Sequence, residues 1–66
     1  MYEYALTFLY KYVEIYTYLS QEKLYGEIIK VTPLELVLQR SHIDKAANKN
    51  TELYIPLNSI IFIKNL

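Results

Sequence analysis

Sixty-six residues without a single Cys exclude a disulfide framework and a Cys-type zinc site, and a lone domain of this size is marginally stable. Seven basic and seven acidic side chains give a formal net charge of +0, without the basic excess that a non-specific nucleic-acid binder carries to replace counterions on phosphates. Hydrophobic residues make up 53% of the chain, more than so small a core hides, so association with further copies is the expected source of added stability.

Six of the eight Tyr residues fall between Tyr2 and Tyr18. Within that stretch Leu6, Leu9, Tyr10 and Val13 have the i, i+3, i+4, i+7 spacing of one helix face, which predicts a short helix over 3–10. Tyr12, Tyr16 and Tyr18 then alternate with β-branched Val13, Ile15 and Thr17, which predicts a first strand over 11–19. Glu14 breaks that run of Tyr at even positions. Ser20-Gln21-Glu22-Lys23 is polar and reads as a hairpin turn.

A second strand is expected over 24–31. It contains Gly26, the only Gly, which marks a bulge, a sharp bend or a close backbone approach. Thr32-Pro33 interrupts the ladder because Pro lacks an N–H. A third strand over 34–40 places Leu34, Leu36 and Leu38 on one face. The polar interval Ser41–Thr51 reads as a loop. A short fourth strand over 53–55, a tight turn Pro56–Ser59 and a fifth strand over 60–64 complete the chain. The fifth is apolar on both faces, so a neighbour is expected to cover its outer side. Together these elements predict a mostly β fold in one domain over 1–66: a short helix, then five strands bent into a small closed barrel.

Catalytic chemistry finds little to stand on. Ser41, His42 and Asp44 are near neighbours in the chain, whereas a triad needs convergence in space with an oxyanion hole. One Gly precludes a phosphate-cradling glycine loop, and the single His42 has no ligand cluster around it. The expectation is a non-enzyme with no metal or cofactor. No apolar run reaches the roughly 20 residues that span a bilayer, and no secretory signal is visible, so a cytoplasmic protein without a membrane partner is expected.

The pattern resembles the Sm-like family, which includes the Sm and LSm proteins and bacterial Hfq. Val13-x-Ile15, then Leu24-x-Gly26-x-Ile28-x-x-Val31, then Leu34-Glu35-Leu36-Val37-Leu38 follow the family's first motif. Ile55-Pro56-Leu57-Asn58-Ser59-Ile60-Ile61-Phe62-Ile63 follows its second. The resemblance implies an Sm-like, SH3-like barrel that assembles as a ring or dimer, with the fourth strand of one copy pairing with the fifth of the next. Leu53, Tyr54, Ile55, Ile60, Ile61, Phe62 and Ile63 would then form the interface. It also implies single-stranded RNA as a partner, with Asn58 on a family polar position. Glu35 and Pro56-Leu57 depart from the family's RNA-contacting Asn and Arg-Gly, which weakens that implication.

Several residues carry two readings. Tyr side chains such as Tyr54 stack nucleobases or cover half-buried strand faces and subunit contacts. Asn58 contacts a base or bonds its own turn. Lys45 and Lys49, with Arg40 near, form a phosphate patch or a plain solvated loop diluted by Asp44 and Glu52. Two functions compete: a non-catalytic, self-assembling RNA-binding module, and a protein–protein assembly or regulatory adaptor that binds no nucleic acid.

Overall fold

A computed structural model describes residues 1–40 and 52–66. The chain runs from a short helix α1 (Tyr2–Leu6) into strands β1 (Tyr12–Thr17), β2 (Leu24–Val31) and β3 (Glu35–Gln39), and then into β4 (Glu52–Pro56). A single 3₁₀ turn, Leu57–Ser59, leads into β5 (Ile60–Asn65). The five strands form one antiparallel sheet in the order β4-β3-β2-β1-β5.

The predicted helix over 3–10 is shorter as an α-helix and is prolonged by tight turns. Thr7, Phe8 and Leu9 donate their N–H groups to carbonyls three residues back. Tyr10 stops this run in the left-handed region, with φ 66, and its N–H turns to the carbonyl of Ile28 at 2.7 Å. The N–H of Ile28 answers by bonding the carbonyl of Lys11 at 3.1 Å, so the helical segment is sewn onto β2.

Alternation in β1 sends Val13, Ile15 and Thr17 to the buried face, as a strand period of two requires. Val13 and Ile15 join Ile28, Leu36, Leu38, Ile55, Leu57, Ile60 and Ile63, with Ala5 of α1 closing the cluster. Ile15, Ile28, Leu36, Leu38 and Val13 are fully buried, and each contributes roughly 1.5–3 kcal/mol by leaving water. Leu34 does not share that face. It lies before β3, in the turn from Thr32 to Glu35, and is 82% exposed. Thr32 builds that turn: its Oγ1 accepts the N–H groups of Leu34 and Glu35 while its own N–H bonds the carbonyl of Glu35.

The expected closed barrel is corrected to an open, curled sheet. Strands β4 and β5 lie at opposite rims and do not pair. Yet only three residues, Leu57–Ser59, separate them in the chain, a span of roughly 14 Å at most. The rims therefore curl towards each other, bridged by the 3₁₀ turn rather than by a ladder. Leu57 donates to the carbonyl of Leu34 at 3.0 Å on one side, and Tyr18 donates to the carbonyl of Ser59 at 2.8 Å on the other. Gly26 permits the curl by a close approach: a Cβ there would meet the Gln39 carbonyl oxygen at 2.6 Å and Leu38 Cγ at 2.9 Å. The bulge itself falls later in β2, between Ile28 and Lys30.

Candidate functional site

The face of β1 opposite the core carries a polar and aromatic cluster. Glu14 sits at its centre, on the rung that pairs with Tyr25 of β2 and Lys64 of β5. Tyr16 occupies the next rung on the same face, opposite Phe62, and the two rings stack at 4.3 Å with 17° between their planes. The Tyr16 hydroxyl donates to Glu14 Oε1 at 2.6 Å. Lys23, just before β2, brings its Nζ within 4.0 Å of Glu14 Oε2 and about 6 Å from the ring centres of both Tyr16 and Tyr25.

Although it projects from the open face, Glu14 is 9% exposed. The Tyr16 hydroxyl is the main influence holding its carboxyl below the ordinary 4.5, helped by Lys23 and Lys64 and opposed by the loss of hydration. The same bond to Glu14 raises the Tyr16 phenol above its ordinary 10.0. Lys23 is held protonated above its ordinary 10.5, chiefly by Tyr25 and then by Glu14. The arrangement is an ionised carboxylate framed by aromatic rings and matched by its own ammonium. It suits positioning and recognition; it offers no activated nucleophile.

Of this cluster only Phe62 is among the site residues expected from the sequence; Glu14, Tyr16, Lys23, Tyr25 and Lys64 are not. The signal that could have found them is the interruption at Glu14 of an otherwise regular series of Tyr. Of the residues expected to contact RNA, Lys45 and Lys49 lie outside the described residues, as do Ser41, His42 and Asp44. Tyr54 lies on the β4 rim, 58% exposed, with its hydroxyl donating to Glu52 Oε1 at 3.3 Å. Asn58 is exposed on the 3₁₀ turn. The turn is held by Ser59, whose hydroxyl donates to the Pro56 carbonyl at 2.7 Å, and among the described residues no hydrogen bond joins Asn58 to Tyr54.

The residues expected at an interface divide between core and surface. Ile55, Ile60 and Ile63 are buried in the chain's own core, and Leu53 packs partly against it. Ile61 and Phe62 are 46% and 43% exposed. The register shift between Tyr16 and Thr17 explains why two consecutive residues of β5 face outward: Ile61 is the extra residue between the pairs Tyr16–Phe62 and Thr17–Ile60. Beside this rim an open depression of about 610 Å³ is lined by Tyr16, Tyr18, Leu19 and Ile61. A smaller cleft of about 230 Å³ runs between Leu19 and Leu24 on one side and Leu53, Tyr54 and Ile55 of β4 on the other.

No helix among the described residues is long and apolar enough to cross a membrane. Comparison with protein-family models, curated proteins and solved structures returns no match.

Proposed function

We propose that this chain is a non-catalytic assembly module of the Sm-like kind, whose partner is first of all another copy of itself. The observation that carries this reading is the placement of β4 and β5 at opposite rims of one curled sheet, with Tyr54 on one rim and Ile61 and Phe62 on the other exposed to solvent. Rims that differ from each other and lie on opposite sides favour head-to-tail contacts, which close into a ring when the rotation allows. The resemblance carried by both sequence motifs supports the same reading. The neutral charge and the pairing of Lys23 with Glu14 favour a polypeptide partner over a polyanion.

Native mass spectrometry of the protein purified from cells tests this directly. At micromolar concentration it should report a complex of several identical chains and no co-purifying RNA. A species of one chain at every concentration would end the assembly reading. Retained RNA that salt strips away would favour instead the second reading, in which exposed Tyr54 and Asn58 contact single-stranded RNA.

A further inference from the structure

A free sheet edge offers a neighbouring strand the backbone groups that point away from the sheet. In an antiparallel pair, residues that exchange hydrogen bonds alternate with residues whose N–H and C=O both point outward. On β5 the alternation is readable. Leu66 donates to the carbonyl of Tyr12 at 3.1 Å, so Tyr12 and Leu66 face each other through a hydrogen bond. Stepping by two, Glu14–Lys64 and Tyr16–Phe62 are the bonded pairs, and Ile15–Ile63 is the pair between them. The N–H and C=O of Ile63 therefore point to the open rim.

Both are already taken. The Tyr4 hydroxyl accepts the Ile63 N–H at 3.1 Å and donates to the Ile63 carbonyl at 2.8 Å. One phenol oxygen thus does what a paired strand would do at that residue. It reaches across 59 residues of sequence, and its ring is braced edge-on against Phe8 at 5.3 Å. Towards the start of β5 the bulge at Ile61 breaks the regular ladder.

We infer that Tyr4 is a guard on the β5 rim. While its hydroxyl occupies Ile63, a strand from a second copy cannot pair along β5, and withdrawal of α1 is the step that opens the rim to the β4 edge of a neighbour. The inference rests on the self-assembly proposed above and adds to it a residue that limits where and when the strands join. The β4 rim is the fitting occupant because its own register leaves the Tyr54 N–H and C=O pointing outward. Leu57 donates to Leu34, so Leu36–Ile55 is a bonded pair and Val37–Tyr54 is the intervening one. Pro56 beside it has no N–H to give, and the Ser59 hydroxyl binds its carbonyl.

Tyr4→Phe removes the hydroxyl and keeps the ring against Phe8. Sedimentation over a concentration series, with amide hydrogen exchange read at Ile63 in dilute protein, tests the inference. In Tyr4→Phe the Ile63 amide should exchange faster, and association should begin at roughly tenfold lower concentration, the scale set by two released neutral hydrogen bonds. Phe8→Ala, which keeps the hydroxyl and loosens its support, should move both readouts the same way by less. Unchanged exchange at Ile63 in Tyr4→Phe would overturn the guard, as would faster exchange with association identical to the parent. If neither protein associates at any concentration, the assembly reading falls, and the guard role of Tyr4 falls with it.

Discussion

Gly26 is the residue on which the curvature of β2 turns. The atom nearest to an added Cβ is the Gln39 carbonyl oxygen, which is backbone and cannot swing aside without moving β3. Leu38, the next nearest, is fully buried in the core cluster. Gly26→Ala should therefore cost about 1–3 kcal/mol, the range for forcing a methyl group into a filled core. Urea titration followed by circular dichroism would measure it, and an unchanged midpoint would show that the two strands are not in such close contact. The residue was legible in the sequence as the lone Gly inside a strand. Which of three uses it served was not, because bulge, bend and close approach all ask for the same missing side chain. The neighbouring strand decides between them, and its register depends on contacts remote in sequence.

At the scale of the element, β1 does two jobs with its two faces. Val13, Ile15 and Thr17 bury one side, while Tyr16 and Glu14 build the cluster on the other. A period of two was legible from β-branched residues alternating with Tyr. The cluster was not, since Lys23, Tyr25, Phe62 and Lys64 arrive from other parts of the chain. Glu14 could be noticed as an exception in its own strand, but only the pairing shows what surrounds it. Its depressed pKa has a consequence for stability. A carboxyl held below its unfolded value stabilises the fold above that value, and the contribution disappears as pH falls through the folded one. Tyr16 acts at the other end of the scale: its raised pKa gives a contribution complete below about 10 and lost as pH climbs through the folded value. Glu14→Gln should accordingly flatten the acid side of a stability-against-pH curve, and Tyr16→Phe should flatten both sides. Thermal melts across the pH range would read this; parallel curves for parent and Glu14→Gln would show that the bond to Tyr16 does not contribute.

For the whole molecule, the strand positions followed from local pattern, and the second strand agrees in full with its expected span, Leu24–Val31. Closure did not follow. Whether the rims pair depends on how far the whole sheet curls, which the short turn between β4 and β5 does not set. The 3₁₀ turn bonds outward to Leu34 and Tyr18, and so holds the rims apart while joining them. The apolar run Ile60–Ile63 likewise looked uniform in sequence, but the bulge divides it into buried Ile60 and Ile63 and exposed Ile61 and Phe62. This division separates folding from assembly. Ile61 is 46% exposed in a single chain, so Ile61→Lys should leave the fold within about 0.5 kcal/mol of the parent, as exposed substitutions usually do. On a rim that a second copy covers, the same ammonium would lose its water without gaining a partner. The expected outcome is a folded chain with unchanged circular dichroism that sediments as a monomer. An Ile61→Lys protein that assembles as readily as the parent would place the interface elsewhere on the sheet, and one that unfolds would mean that Ile61 belongs to the core after all.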